Sequence, residues 1–198
     1  MVEPKHVHLV VAKHVMRYLK GMVDYGLSYT RDHEFKLYGY TDSDWAGSVS
    51  NRKSTSGGCF SLGSTMISWL SRKQYSVSLY IVEAEYIVTC SASCEAIWIR
   101  KLLSYLFDFD MDATMILCDN RSCMKMTENP MFHDKRKHIE IWYLYIRDMV
   151  QKGDIKLQYL STNEQVVDVL TKPLSRVKFE HFRDKLGVVR KDFPRKGE

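Results

Sequence analysis

The spacing of hydrophobic and polar residues changes along the chain from a helical period to a strand period. In the first segment, residues 5–20, Val7, Val11 and Val15 fall on one stripe, which predicts an amphipathic helix. From residue 35 onward apolar and polar residues alternate, which is typical of a strand. The pattern therefore predicts a leading helix and then a sheet.

The same two periods, with turn residues between them, predict the remaining elements. These are strands over 35–42, 59–62 and 66–70 with a turn over 51–58, a helix over 83–106, a strand over 115–118, helices over 122–127 and 139–150, a strand over 155–159, and a helix over 163–170 with Asn163 as its N-cap. The long helix is expected to bury a face that includes Ile87, Cys94, Trp98 and Leu102. Three consecutive strands form an antiparallel meander, and the later strands add two parallel ones. The predicted fold is α/β: a mixed five-stranded sheet with helices on both faces.

Composition adds limits on domain number and class. A chain of 198 residues with 45% apolar residues is expected to form one domain over 35–188, preceded by a helix and linker over 1–34 and followed by a charged flexible tail over 189–198. No run of about 18 apolar residues is present, so no membrane partner is expected. Five cysteines, an odd number in mostly apolar segments, indicate reduced thiols and an intracellular location. The net charge of +5 is compatible with a polyanionic partner.

Four acidic residues occupy positions where packing alone does not call for an acid. Asp42 and Asp119 end predicted strands, and Glu85 and Asp168 lie on predicted helices. Ligand sites in open α/β sheets lie beyond the carboxyl ends of the strands. Carboxylates 4 Å apart repel by about 4 kcal/mol at an effective dielectric of 20, so a cluster implies a bound cation. Mg²⁺ prefers such oxygen ligands, and a pair of these ions can promote phosphodiester hydrolysis, which predicts a nuclease.

Each acid also has a local alternative. Asp119 could cap the helix that follows it, and Asp168 could be a surface helix acid. Asp44 is expected to serve the turn after the first strand, and Glu83 to interact with the helix dipole.

Other polar residues suggest phosphate contacts or, as an alternative, a zinc site. The basic clusters are expected in turns or loops, where they could contact nucleic-acid phosphates or simply be solvated. The candidate nucleic-acid-binding residues are Arg52, Lys53, Ser54, Thr55, Arg72, Lys73, Asn120, Lys135, Arg136, Lys137 and His138. Alternatively, Cys118, Cys123, His133 and His138 have a spacing that could form a zinc site. Trp45 and Trp69 are expected to pack in the core, with base stacking as the alternative.

A series of motifs resembles the ribonuclease H domain of the Pol polyprotein of copia-type LTR retrotransposons of plants. The motifs are Gly39-Tyr40-Thr41-Asp42-Ser43-Asp44-Trp45-Ala46-Gly47, Arg52-Lys53-Ser54-Thr55-Ser56-Gly57, Ile67-Ser68-Trp69, Glu83-Ala84-Glu85-Tyr86, Cys118-Asp119-Asn120, Lys137-His138-Ile139-Glu140 and Asp168-Val169-Leu170-Thr171-Lys172-Pro173-Leu174. Residues 5–30 resemble the segment that joins reverse transcriptase to this domain. The resemblance implies a ribonuclease H-like fold.

The resemblance also implies a function. It assigns Asp42, Glu85, Asp119 and Asp168 as catalytic residues and ligands of two Mg²⁺ ions, with Mn²⁺ as a substitute ion. The implied reaction is hydrolysis of the RNA strand of an RNA–DNA hybrid during reverse transcription. The implied partners are the hybrid and the reverse transcriptase portion of Pol, in a cytoplasmic particle or the nucleus.

Two departures from the family pattern support a second hypothesis. Ile81 and Val82 replace hydroxyl residues before the helix that carries Glu85, and Leu144 stands where a histidine is common. Loss of a helix cap costs about 1 kcal/mol. The alternative function is therefore a catalytically degenerate nucleic-acid-binding remnant of a Pol polyprotein.

Overall fold

The computed structural model describes residues 3, 5–30, 35–108, 110–128 and 137–190, the side chains of 126–128, 137–141 and 143 excepted. Its helices are α1 (His6–Gly21), α2 (Ile81–Phe107), α3 (Arg121–Glu128), α4 (Lys137–Gln151), α5 (Asp168–Thr171) and α6 (Arg176–Lys185). Its strands are β1 (Tyr25–Leu27), β2 (Leu37–Asp44), β3 (Thr55–Leu62), β4 (Thr65–Lys73), β5 (Thr114–Cys118), β6 (Ile155–Tyr159) and β7 (Val188–Arg190). None of the helices in these ranges is long and apolar enough to cross a membrane.

The central sheet has five strands in the order β4-β3-β2-β5-β6. Strands β2, β3 and β4 form an antiparallel meander, and β5 and β6 extend the sheet in parallel from β2. This confirms the predicted mixed α/β sheet. The parallel pairs arise because α2 and α4 carry the chain back across the sheet between β4 and β5 and between β5 and β6.

Strand β3 is longer than the sequence predicted, because the turn assigned to 51–58 ends earlier. Gly57 and Gly58 lie within β3 and pair with Asp42 and Thr41. A Cβ at Gly57 would lie 2.5 Å from Thr171 Cγ2, so this glycine allows α5 to lie directly on the sheet. The glycine pair therefore marks a close approach and not a turn.

Helix α2 buries a different face from the one predicted. Its buried apolar residues include Ala84, Val88, Ala92 and Ala96 beside the larger Tyr86, whereas Trp98 is 58% exposed. The predicted face was defined by apolar residues that recur at a spacing of three and four, such as Ile87, Cys94 and Trp98. Small residues let a helix approach a sheet closely, so the alanine stripe faces the core. The residues that were predicted to be buried are either exposed or only partly buried.

Two apolar clusters pack on opposite faces of the sheet. On one face α2 and α4 cover Leu37, Phe60 and Ile116. On the other face Phe182 of α6 packs with Cys59 of β3 and with Val167. Neighbouring residues of β3 thus point to opposite clusters, as the alternation of a strand requires.

The segment after β6 also differs from the prediction. A single helix over 163–170 is wrong: a 3₁₀ turn, Thr162–Glu164, precedes the short helix α5. Between them the buried Gln165 is extended, and its Nε2 donates to the Thr41 carbonyl. Tertiary contacts of this segment therefore override its helical pattern.

Two further elements have no counterpart in the sequence prediction. Ser175 caps α6 by accepting a hydrogen bond from the Lys178 N–H. Strand β7 then pairs antiparallel with β1, which lies in the segment expected to be only a linker. Apart from Val189 and Arg190, which belong to β7, the residues of the tail expected over 189–198 lie outside the described ones.

Candidate metal centre

The parallel pairing of β2 and β5 places two acids side by side. Thr41 pairs with Cys118, so the residues that follow them, Asp42 and Asp119, lie side by side at the carboxyl ends of these two inner strands. Asp42 is buried and Asp119 is partly exposed. The strand register alone therefore forms the first half of an acidic site.

Helix α2 supplies the third acid from its first turns. The Ser43 N–H donates to Glu85 Oε1 at 3.1 Å, which fixes the carboxylate against β2. One oxygen from each of Asp42, Glu85 and Asp119 lies within 4.8 Å of the other two, and we call these residues the acid triad. Helix α2 has no side-chain N-cap, but Glu83 Oε2 accepts a hydrogen bond from the Leu79 N–H at 2.8 Å in its place.

The acid triad fits a hard cation. Glu85 is 3% exposed, and its Oε2 has no hydrogen-bond partner among the described residues. Burial, followed by the nearby charges of Asp42 and Asp119, raises the pKa of Glu85 well above its ordinary value. Burial also raises the pKa of Asp42, an effect opposed by the Thr171 hydroxyl and Lys172. A divalent ion would provide the positive charge that compensates these buried carboxylates.

Asp168, the fourth predicted ligand, is not part of this group. Its fully buried carboxylate lies between two ammonium groups: Lys172 Nζ is 2.8 Å from Oδ1, and Lys178 Nζ is 2.7 Å from Oδ2. The same Lys172 nitrogen lies 3.6 Å from Asp42 Oδ1. The structure therefore brings three of the four predicted acids together and pairs the fourth with lysines.

Several polar groups that support the acids were not identified from the sequence. The Thr171 hydroxyl donates to Asp42 Oδ2, and the Thr162 hydroxyl donates to Asp119 Oδ2 at 3.1 Å. Only the spacing of Asp168 and Lys172, four residues apart on a helix, could have signalled an ion pair. The two threonines had no such signal, because their contacts join residues 43 and 129 positions apart.

Two of the three predicted basic clusters lie at the same end of the sheet as the acids. We call these residues the basic rim: Arg52, Lys53, Arg72 and Lys73. Lys73 pairs with Thr55 across β3 and β4, and its Nζ donates to Ser48 Oγ in the loop that carries Arg52. Arg72 and Lys73 are thus in a strand and not in the loop that was predicted.

Some predicted nucleic-acid contacts are occupied within the protein. Ser54 is fully buried and its Oγ accepts from the Ala46 N–H, while Thr55 is partly buried in β3. Asn120 Oδ1 accepts from the Ser122 and Cys123 N–H groups, so Asn120 and not Asp119 caps α3. The buried Ser54 side chain is therefore not accessible for the predicted contact with nucleic acid.

Both tryptophans expected in the core are exposed. Trp69 is 62% exposed on β4, and Trp45 is 41% exposed with its Nε1 donating to the Ser78 carbonyl. The core prediction for these two side chains is wrong, because β4 is an edge strand and Trp45 lies in the turn after β2.

The third basic cluster and the zinc alternative fall largely outside the described residues. Lys135, Arg136 and His133 are not among them. Lys137 and His138 begin α4, but their side chains are not described. Cys118 and Cys123 are free, fully buried thiols whose pKa values burial raises, which is the environment of core cysteines.

The chain is similar in sequence to plant transposon proteins. It is 40% identical over 187 residues to the retrovirus-related Pol polyprotein from transposon RE2 of Arabidopsis thaliana, which covers 94% of this chain and 13% of that protein. It is 36% identical over 185 residues to the Pol polyprotein from transposon TNT 1-94 of Nicotiana tabacum, covering 93% and 14%. The chain thus spans about one seventh of the length of these relatives. No protein-family profile matches it.

Solved structures show the same fold. The N-terminal RNase H domain of rv2228c from Mycobacterium tuberculosis aligns with a TM-score of 0.51 at 12% identity, covering 76% of this chain and 98% of that one. LC11-RNase H1 in complex with an RNA/DNA hybrid aligns with a TM-score of 0.50 at 12% identity, covering 69% and 94%. At these identities the likeness establishes the architecture, which is that of ribonuclease H.

Proposed function

We propose that this chain, which belongs to the retrovirus-related Pol polyproteins of copia-type transposons, is a metal-dependent ribonuclease that hydrolyses the RNA strand of RNA–DNA hybrids. The observation that carries the proposal is the acid triad at the carboxyl ends of two parallel strands. Its Glu85 contributes a buried oxygen that has no hydrogen-bond partner among the described residues. Such oxygens suit Mg²⁺, with Mn²⁺ as a substitute.

Asp42, Glu85 and Asp119 are the residues that would hold the ion. Bound there, the ion supplies charge stabilisation for the attacking and leaving oxygens of a phosphodiester. The protein's part is to fix the three carboxylates before the ion arrives. It does so through the Ser43 N–H on Glu85, the Thr171 hydroxyl on Asp42 and the Thr162 hydroxyl on Asp119.

The basic rim suits the sugar–phosphate backbone of a nucleic acid. It lies at the end of β3 and β4 that is paired with the acid-bearing end of β2, and Arg52, Arg72 and Lys73 are exposed. Phosphate contacts fix the register of a duplex without reading its sequence. Selection of an RNA strand then depends on contacts to its 2′-hydroxyl groups. The reverse transcriptase portion of Pol is the proposed protein partner, inside the cell.

The second candidate is a binding remnant that no longer cleaves. Its specific support is Asp168, whose carboxylate is held by two lysines and is not in the acid triad. The absence of hydroxyl residues at Ile81 and Val82 adds less support than the sequence suggested, because Glu83 bonds the start of α2 and Glu85 remains in the triad.

A labelled-substrate assay separates the two candidates. A hybrid with its RNA strand end-labelled, the same hybrid with its DNA strand labelled, and an all-RNA duplex are incubated with the protein with and without Mg²⁺. A ribonuclease of this type shortens only the RNA of the hybrid, and only with Mg²⁺. Binding of the hybrid without any cleavage would support the remnant, and equal cleavage of the all-RNA duplex would refute the proposed substrate.

A further inference from the structure

We propose that Gln74 is a positioning residue of the acid triad: its buried side-chain amide holds the first turn of α2 to the sheet and thereby fixes where Glu85 lies. Gln74 directly follows β4, at the start of the connection to α2. The inference rests on the function proposed above and adds to it a residue that acts through Glu85.

The connection between β4 and α2, residues 74–80, is anchored by polar groups. Of these residues only Gln74 and Ser78 are buried, at 5% and 3% exposure, and the others are exposed. The Ser78 hydroxyl donates to Gln74 Oε1 at 3.0 Å, and the Gln74 N–H donates to the Ser54 carbonyl at 2.8 Å. Hydrogen bonds of buried polar groups, and not apolar packing, therefore hold the segment that leads into α2.

The amide nitrogen of Gln74 joins the sheet to the helix. Gln74 Nε2 donates to Ser56 Oγ of β3 at 2.9 Å and to the Ala84 carbonyl of α2 at 3.0 Å. A carbonyl oxygen only accepts hydrogen bonds, so the nitrogen and not the oxygen of the amide must face Ala84. Because a primary amide has two N–H groups, these two bonds use both of its donors. The side chain is thus a fully bonded bridge between β3 and the first turn of α2.

The contact to Ala84 acts on Glu85 through the backbone. The two residues share a planar peptide bond, so a fixed Ala84 carbonyl also fixes the direction in which the Glu85 backbone continues. The Thr89 hydroxyl donates to the Glu85 carbonyl at 2.8 Å, and the Ser43 N–H donates to Glu85 Oε1 at 3.1 Å. Helix α2 has no side-chain N-cap among the described residues, so its first turn depends on such contacts for its place on the sheet. Without the Gln74 amide, we expect this turn to shift and the bond between Ser43 and Glu85 to weaken.

Hydrogen exchange in EDTA tests this positioning without an ion or a substrate. The exchange rate of the Ser43 N–H is measured by NMR and divided by the mean rate of the other β2 amides, which removes a change in global stability from the comparison. Gln74→Met keeps the length of the side chain but removes the amide donors and the amide oxygen. We expect this variant to raise the exchange ratio of Ser43 about tenfold, because a buried hydrogen bond to a carboxylate is weakened.

Two further measurements link the position of Glu85 to the site. The Kd for Mn²⁺, followed by electron paramagnetic resonance of the free ion, should rise about tenfold in Gln74→Met, as expected for a group that orients a metal ligand. In hybrid cleavage, kcat should fall by about tenfold while KM stays unchanged, because the basic rim can still contact the substrate. A change in KM alone would overturn the inference.

Arg100→Met is the matched control. The Arg100 guanidinium also ties α2 to neighbouring backbone, since it donates to the Asp154 carbonyl at 2.7 Å and to the Met111 carbonyl at 2.9 Å, but it lies in the part of the helix remote from Glu85. This variant should lower the free energy of unfolding and leave the Ser43 exchange ratio, the Kd for Mn²⁺ and kcat unchanged. Equal changes in both variants would show that Gln74 supports only the stability of α2, and would overturn the inference.

A folded Gln74→Met protein with the wild-type exchange ratio or the wild-type Kd would also overturn it. If that variant does not fold, Ser78→Ala decides, because it removes only the hydroxyl that donates to Gln74 Oε1. A higher exchange ratio and a higher Kd in Ser78→Ala support the inference, and wild-type values overturn it. A wild type that binds Mn²⁺ but cleaves no hybrid refutes only the proposed function. Cleavage by the wild type together with an unchanged exchange ratio in Gln74→Met refutes only this inference, and a wild type that binds no Mn²⁺ contradicts both.

Discussion

Replacing Glu85 with glutamine should stabilise the metal-free protein. Glu85 is 3% exposed and lies within 4.8 Å of both other acids of the triad. At an effective dielectric of 20, each such pair of full charges repels by about 3.5 kcal/mol. Partial protonation and Lys172 reduce the repulsion that remains, so we expect Glu85→Gln to raise the free energy of unfolding by about 2 kcal/mol at pH 8. The glutamine can still accept the hydrogen bond from the Ser43 N–H.

The pH dependence of this gain has a definite sign. Because the pKa of Glu85 is raised in the folded protein, the folded state holds its proton more tightly than the unfolded state does. Wild-type stability therefore falls as pH rises from the ordinary carboxyl value of 4.5 through the raised folded value, whereas Glu85→Gln does not show this decrease. The advantage of the variant should be largest at high pH and should vanish below about pH 4.5.

Urea unfolding in EDTA, followed by circular dichroism from pH 4.5 to 8.5, measures this difference. The matched control is Glu83→Gln, which changes a buried acid in the same turn that lies outside the triad and bonds the Leu79 N–H. The control should lose stability and show no such pH-dependent gain. With saturating Mg²⁺ the order should reverse, because an ion at about 100 times its Kd stabilises the wild type by about 2.7 kcal/mol. A Glu85→Gln protein that is less stable at pH 8, or a gain independent of pH, would refute the repulsion argument.

Three other predictions concern the surroundings of the acids. Gly57→Ala should reduce cleavage and stability, because its Cβ would lie 2.5 Å from Thr171 Cγ2. Gly58→Ala should change both much less, because the nearest atom to its Cβ would be the Tyr40 carbonyl oxygen at 3.7 Å. Equal effects of the two substitutions would contradict the close packing of α5. Thr171→Val should raise the pKa of Asp42 further and weaken Mn²⁺ binding more at pH 6 than at pH 8 in a titration, and a pH-independent decrease would mean that the hydroxyl acts only in packing. Replacing the four residues of the basic rim with glutamines should weaken hybrid binding and flatten the slope of log K against log salt by about 0.9 for each phosphate that the protein no longer neutralises. The control is Lys101→Gln, which changes an exposed lysine outside the rim. An unchanged slope would show that the rim is only solvated.

The sequence predicted the elements that its own pattern defines. Strand β2 was predicted from the alternation of apolar and polar residues and β5 from a short apolar run, and each leads into an acid. The parallel pairing of the two strands then places their ends side by side. That reasoning brought Asp42 and Asp119 together before any coordinates. Glu85 followed from its motif, since nothing in its local spacing joins it to β2.

The sequence could not supply the parts that depend on tertiary contact. The buried face of α2 was misjudged because close packing favours alanines over the larger Trp98. Gly57 and Gly58 were read as a turn because only the position of α5 explains them. The separation of Asp168 from the triad depends on where two ammonium groups lie, which a motif does not encode.

The most direct test of the central claim compares Asp42→Asn with Asp44→Asn in cleavage of the RNA strand of one hybrid across a Mg²⁺ titration. Both acids lie in β2, two residues apart, but only Asp42 belongs to the acid triad. Circular dichroism first establishes that both variants are folded. We predict that the wild type and Asp44→Asn cleave the RNA with the same Mg²⁺ dependence, and that Asp42→Asn binds the hybrid but cleaves it at least a hundredfold more slowly at every Mg²⁺ concentration. Cleavage by Asp42→Asn at the wild-type rate, or wild-type cleavage that persists in EDTA, would contradict the assignment of the acid triad as the metal-dependent catalytic site.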